Sequence, residues 1–159
     1  MARADEMMRI RAAVVADLPS IEALVADAYG HYVDRLGKKP GPMLDDYSAH
    51  VRTGAAWVAD VERAVAGLLV LLPGDDDALL LDNLAVSPAW QGRGLGRALL
   101  AFAEEQARRQ DYRCLRLYTH ERMTENIAMY RALGWQEMGR AEQAGYSRVF
   151  FRKPVGGPV

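Results

Sequence analysis

ALLLDNLAVSPAWQGRGLGRALLAFAEEQARRQ, residues 78–110, holds three local patterns in succession. Residues 78–86 are an apolar run whose Leu and Val content predicts a strand buried on both faces. Ser87-Pro88 breaks the run. From Leu95 the apolar residues take helical spacing, with Leu95, Leu99 and Phe102 on one stripe and Ala98 and Ala103 beside it. The order is strand, glycine-rich turn, helix. Closely spaced glycines let backbone N–H groups approach a ligand, and a helix N-terminus carries partial positive charge. Together they form an anion site suited to phosphate.

Outward from this stretch, the chain has 159 residues, enough for one domain with a real core. Twenty Lys and Arg stand against 21 Asp and Glu, so bulk charge gives no reason to expect nucleic acid or an anionic membrane as partner. Cys114 is the one cysteine, which excludes an intramolecular disulfide and fits a cytoplasmic protein. It reads as a buried strand residue. The opening MARADEMM lacks the apolar core of a signal peptide, and the longest apolar run, 64–72, is too short to span a bilayer. The expected organisation is a loose arm over 1–8, one domain over 9–153 and a disordered tail over 154–159.

Read in order, residues 9–15 form a strand. Asp17-Leu18-Pro19 starts a helix with Asp17 as its cap, and Ile21, Leu24, Val25 and Ala28 give it an apolar face up to Gly30. Residues 31–42 are irregular, and a second helix spans 44–52. Residues 55–60 and 63–72 make a hairpin turning at Val61-Glu62. Residues 114–119 form a strand. Thr124 caps a helix bearing Ile127, Tyr130 and Leu133, and Gly134 ends it. Residues 135–139 and 148–153 are the last strands. Strand, long helix and strand across 78–119 predict a parallel pair. The other strands pair as hairpins, giving an α/β fold with a mixed, largely antiparallel central sheet flanked by helices.

The glycine loop fails two common patterns. The dinucleotide fingerprint needs a third Gly where Arg97 stands, and no acidic residue ends the following strand. The Walker A loop needs Gly-Lys-Ser/Thr, and none is present. The segment does match Gln/Arg-x-x-Gly-x-Gly/Ala through Gln91, Gly94 and Gly96. Leu84-Ala85-Val86-Ser87-Pro88 precedes it, and Ile127-Ala128-Met129-Tyr130-Arg131-Ala132-Leu133-Gly134-Trp135 follows downstream. On these residues the chain resembles the GNAT superfamily, the GCN5-related N-acetyltransferases. The resemblance is thin only over 31–54.

The resemblance implies a site. Backbone N–H groups of Gly92, Arg93, Gly94, Leu95, Gly96 and Arg97, beside Gln91, would hold the pyrophosphate of acetyl-coenzyme A, the expected acyl donor. Arg93 and Arg97 add positive charge or are solvated helix-start arginines. Leu84, Ala85 and Val86 would pair with the pantetheine arm like an added strand and polarise the thioester carbonyl, which requires strand 113–119 to splay away. Tyr130 takes the place of the family's general acid for the departing thiolate, with a core aromatic as the competing role. Many members carry Asn where this chain has Met123; Asn126 lies out of that register and is taken only as a cofactor contact. The base is Asp82, on the same strand face as Leu84, or His120, each also readable as an ordinary sheet or loop residue. Tyr118 and Glu121 are outside candidates, and His31 and His50 show no partner. No metal is expected. Acceptor choice falls to 29–50, where Tyr29, Tyr32 and Tyr47 could wall a pocket and Asp34, Asp45 and Asp46 could meet an amine, or serve as packing aromatics and solvated helix-start acids. The implied partner is an amine of a small molecule or peptide. Homodimers are common in the family, which makes a second copy of the chain a further candidate partner and leaves the oligomeric state open. The reading is an N-acetyltransferase acting by direct attack. The alternative is a non-catalytic acyl-coenzyme A-binding or sensing domain of the same fold.

Overall fold

In a computed structural model, residues 8–75 and 77–156 are described. Most of the expected arm and the end of the expected tail lie outside them. Seven strands run β1 (Met8–Ala12), β2 (Ala56–Val61), β3 (Ala64–Pro73), β4 (Ala78–Val86), β5 (Cys114–His120), β6 (Gln136–Gln143) and β7 (Tyr146–Pro154). Five α-helices are α1 (Leu18–Tyr29), α2 (Tyr32–Leu36), α3 (Tyr47–Arg52), α4 (Leu95–Arg109) and α5 (Thr124–Ala132). The strands hydrogen-bond in the order β1-β2-β3-β4-β5-β7-β6. β4 and β5 are parallel, while β1–β2, β2–β3, β5–β7 and β6–β7 are antiparallel. This is the mixed α/β sheet the sequence predicts, flanked by helices.

The chain clusters into two compact units, Met1–Leu71 with Asn83–Ala103, and Leu72–Asp82 with Glu104–Val159. In the first, the α1 face of Ile21, Leu24 and Val25 is buried, as are Val58, Leu68, Leu69 and Val70 of the sheet. Gly67 lets α4 come close to β3: a Cβ there would stand 2.9 Å from Leu99 Cδ1 and 3.4 Å from Leu95 Cδ2. Trp57 meets Phe102 edge-on at 5.0 Å. In the second unit, Leu79, Leu115, Leu117, Val149 and Phe151 are buried, and Lys153 Nζ reaches Glu104 at 2.9 Å.

Several local expectations need correction. β1 stops at Ala12, and a 3-10 turn covers Val15–Asp17. Asp17 is the N-cap residue of α1 as expected, but its side chain makes no bond into that helix: its carboxylate takes Arg11 Nη1 at 2.8 Å, Arg11 Nη2 at 2.9 Å and the Val14 amide at 2.8 Å. The first hairpin turns at Glu62-Arg63, both at positive φ (52° and 69°), one residue later than expected. Such left-handed pairs match the twist of the strands they join. Segment 31–42 holds α2, ended by Gly37 at φ 77°; its five residues are too few to show a helical period. The second helix begins at Tyr47, because Asp46 accepts from the Ser48 and Ala49 amides. α5 has Met123 at its N-cap instead of Thr124; the buried Met123 thioether accepts from Thr119 Oγ1 at 3.5 Å. β6 and β7 are longer than expected and turn at Ala144-Gly145. Met8 already belongs to β1, Pro154 closes β7, and the Val155 amide donates to Arg113 O, so order extends past the limits at 9 and 153.

Arg11 also donates to Asp60 at 2.6 Å, which makes it the centre of an ion triad tying the 13–17 turn to β1 and β2. Hydrogen bonds from Arg11 and from the Val14 amide hold the Asp17 carboxyl below the usual carboxylate range. Its contribution to stability is therefore complete above the unfolded value of about 4 and is lost as pH falls through the lower folded value. Asp17→Asn should cost about 2 kcal/mol at pH 7, the scale of hydrogen bonds to a charged partner. Urea midpoints of the two proteins should converge as pH falls through that lowered folded value.

Candidate active site

β4 carries its site residues on alternate faces. Leu81, Asn83 and Ala85 are buried, whereas Leu80, Asp82, Leu84 and Val86 are half-buried. The strand is thus not buried on both faces as expected. Asp82 and Leu84 do share a face. The ladder to β5 is three pairs long, Ala78↔Cys114 to Leu80↔Arg116, although β4 has nine residues. Leu84, Ala85 and Val86 lie past its end.

The direction of these last peptides follows from one bond. The Ser87 amide donates to Ala66 O of β3 at 2.8 Å. A strand residue sends its N–H and C=O to one edge and its neighbour's go to the other. Ala85 therefore faces β3 with Ser87, and Leu84 and Val86 face the opposite edge. There both carbonyls are met by side chains: Leu84 O accepts from the Tyr29 hydroxyl at 2.9 Å, and Val86 O from Gln91 Nε2 at 3.3 Å. The backbone of this edge is served by side chains rather than by a strand.

After a 3-10 turn at Pro88–Trp90, residues 91–94 form turns and α4 begins at Leu95. Gly92 (φ 77°) and Gly94 (φ 87°) are left-handed, a region that side chains disfavour. Gly96 lies inside α4, 3.9 Å from Val86 Cγ2 by its would-be Cβ, an ordinary contact. The first bond of this helix runs from the Ala98 amide to Gly94 O at 3.1 Å. The amides of Leu95, Gly96 and Arg97 precede it, at the positive end of the helix dipole. Arg93 is not simply solvated: its guanidinium carbon stands 4.8 Å from the Trp90 ring centroid. Arg97 is exposed.

The acceptor-side tyrosines are engaged rather than open. Tyr29 and Tyr47 are buried, and both bond Asn83: the Tyr29 hydroxyl donates to Oδ1 at 2.6 Å, and Nδ2 donates to the Tyr47 oxygen at 2.8 Å. Tyr47 passes its own hydrogen to Pro42 O at 2.5 Å. Asn83 was not among the expected residues; its signal was a polar residue in phase with Leu81 and Ala85. Tyr32 is buried beside His31, ring centroids 3.9 Å apart. Asp46 is a helix cap, its carboxyl held low by the Ser48 hydroxyl and the Ala49 and Ser48 amides. His50, expected to lack a partner, has one: Nε2 lies 2.8 Å from Asp45 Oδ2.

In the second unit, Tyr130 is buried on α5 with its ring 5.7 Å from Trp135 and 5.8 Å from Phe151. Asn126 is half-buried, and its Nδ2 lies 3.7 Å from Met123 Sδ. His120 ends β5; its Nδ1 accepts the Arg122 amide at 3.1 Å and its ring meets Tyr146 edge-on at 6.2 Å. Arg148 stacks over Tyr118 at 4.1 Å. Cys114 is fully buried at the start of β5, 3.9 Å from Asp77 Oδ1. Among the described residues, no helix is long and apolar enough to cross a membrane.

Comparison with known proteins places this geometry. An uncharacterised N-acetyltransferase of Escherichia coli K12, YjgM, is 29% identical over 140 residues, 83% of this chain and 84% of its own length. Human N-acetyltransferase 8B is 31% identical over 130 residues, 78% of this chain but 57% of that protein. Among solved structures, a GNAT-family acetyltransferase from Streptococcus agalactiae superposes with a TM-score of 0.78 at 21% identity, covering 92% of this chain and 95% of that one. The ribosomal-protein-S18-alanine N-acetyltransferase of Escherichia coli gives 0.74 at 19%, covering 96% and 97%. The sequence profile of the acetyltransferase (GNAT) family matches residues 18–135, which include β4, the glycine turn and Tyr130, and this chain belongs to that family.

Proposed function

We propose that the protein is an acetyl-coenzyme A-dependent N-acetyltransferase that acts on a primary amine of a small molecule or peptide. The observation that carries this reading is the end of β4 followed by the turn: an edge held by side chains at Leu84 and Val86, then two left-handed glycines, then three amides ahead of the first helical bond. The Gly92–Arg97 amides and Gln91 cradle the donor's pyrophosphate, with Arg93 held over Trp90 beside them. Leu84, Ala85 and Val86 take the pantetheine arm, and Asn126 is a further contact. A relative in fold, the PaiA N-acetyltransferase of Thermoplasma acidophilum, was solved in complex with coenzyme A, at 15% identity and TM-score 0.71, covering 92% of this chain and 98% of that one. That likeness supports the fold alone.

The step is aminolysis. The neutral amine nitrogen attacks the thioester carbonyl carbon, and a backbone N–H of β4 stabilises the oxyanion. The carbon–sulfur bond then breaks, the amide remains on the acceptor, and the thiolate takes a proton from the Tyr130 hydroxyl. Asp82 or His120 receives the amine's proton through water. The step asks for no metal ion, nucleic acid or membrane, and the single free thiol of Cys114 fits a cytoplasmic setting. A homodimer is compatible with this reading. One observation favours the second reading, a non-catalytic acyl-coenzyme A-binding domain: Tyr130 packs as a core aromatic between Trp135 and Phe151.

Tyr130→Phe separates the two, since the ring contacts survive and only the hydroxyl goes. The expected outcome is a kcat lower by about 100-fold, in the range of a lost general acid, with the acetyl-coenzyme A Kd unchanged. Failure of the wild type to acetylate any amine in a broad panel, while binding the donor, would favour the sensing domain.

The loop makes a second test, read by calorimetry with acetyl-coenzyme A. Gly94→Ala forces a side chain into the left-handed region at a cost of about 1 kcal/mol, or about fivefold in Kd. Gly96→Ala adds an ordinary contact inside a helix and should leave Kd within about twofold. Equal effects at the two positions would argue against the cradle.

A further inference from the structure

We infer that Tyr29, Asn83 and Tyr47 form a positioning relay that fixes the β4 edge at Leu84 and ties the acceptor-side segment to it. The inference rests on the acetyltransferase reading and extends it to residues that touch neither the donor nor the reacting atoms. All three side chains are buried, with 8%, 4% and 5% of their surface exposed. A polar side chain at that depth costs stability unless its hydrogen bonds are complete.

Donor and acceptor chemistry sets the direction of the bonds at Asn83. Asn83 Nδ2 can only donate, and it donates to the Tyr47 oxygen. Tyr47 therefore spends its single hydrogen on Pro42 O. Asn83 Oδ1 can only accept, so the hydrogen of Tyr29 lies between Oδ1 at 2.6 Å and Leu84 O at 2.9 Å. One asparagine thus gathers three separate points of the acceptor segment: the last residue of α1, the carbonyl of Pro42 and the first residue of α3. The same tyrosine hydroxyl that meets Asn83 also meets the Leu84 carbonyl, on the edge where Val86 presents its own peptide.

This arrangement has a mechanical consequence. Past Leu80 no β5 pairing sets the position of β4. The Tyr29 bond supplies a restraint there, and Asn83 holds Tyr29 in place. An amine bound by the 29–50 segment and a thioester lying along Leu84–Val86 are then set against one another through one buried amide. Reaction rates are sensitive to displacements of about 1 Å in such pairs, which can cost about 100-fold.

The test compares Tyr29→Phe, Tyr47→Phe and the double variant with the wild type. Steady-state turnover of the best amine is measured alongside acetyl-coenzyme A Kd and melting temperature. Each single variant is expected to lower kcat about tenfold with the donor Kd within about twofold, and the double variant to lose little more, because the groups act as a unit. Tyr29→Phe strands only acceptors, a milder defect than the donor stranded by Tyr47→Phe, and it carries the test if the latter does not fold. Variants with lowered melting temperature but wild-type kcat would overturn the relay and leave the acetyltransferase standing. Parallel loss of kcat and donor affinity would also overturn it. A wild type that neither binds acetyl-coenzyme A nor turns over would overturn both.

Discussion

Every peptide of a sheet strand must find partners for its N–H and C=O, and β4 meets that demand differently along its length. At Ala78–Leu80 it pairs with β5. At Leu84 and Val86 the carbonyls on one edge are met by a tyrosine hydroxyl and a glutamine amide. There two side chains stand in place of the β5 ladder, whose pairs run from Ala78 to Leu80. The same edge runs straight into the glycine turn. Strand end and glycine turn are therefore one continuous stretch of backbone within the first unit.

The glycines in that surface do different work. Gly92 and Gly94 are there for conformation, since both sit at positive φ. Gly96 is a helical residue whose missing Cβ relieves no close contact. Gly67, on β3, is there for space: the side chains of Leu99 and Leu95 occupy the position its Cβ would take. That approach seats the first turns of α4 on the sheet. The seating of the start of α4 thus depends on a small residue almost thirty positions upstream, which the local motif does not contain.

The sequence made the strand–turn–helix unit, the parallel pair and most of the element order legible, because each produced a long periodic or punctuated signal. Short elements did not. α2 has five residues between Gly30 and Gly37, too few for a period to register. Thr124 is a good capping type, yet it is the first residue of α5, and the N-cap falls to Met123, which makes no side-chain cap bond and whose buried thioether accepts from Thr119. Asp17 does stand at the N-cap of α1, as its place before Leu18-Pro19 predicts, but without the side-chain bond of a cap. A capping residue beside a proline is a sound local signal, but Arg11, six residues earlier and on another element, claims both carboxylate oxygens. Asn83 and the Asp45–His50 pair were missed because their partners lie far away in sequence or in a segment without periodicity.

That last failure bears on why the acceptor is the hardest part of the site to read. Its segment has two populations of residues under opposite constraints. Tyr29 and Tyr47 are buried and hydrogen-bonded to a single strand residue, so replacing either leaves a buried group unpaired at a cost of about 1–3 kcal/mol. Asp34 and Leu44 are exposed, and substitutions at such positions usually change stability by less than about 0.5 kcal/mol. The fold therefore fixes how the segment is tethered and leaves the chemistry of its outer surface almost unconstrained. On the proposed acetyltransferase reading, residues of the first kind carry information about where an acceptor is held. Those of the second kind carry information about which acceptor it is, and no packing rule ties their identity to the rest of the chain.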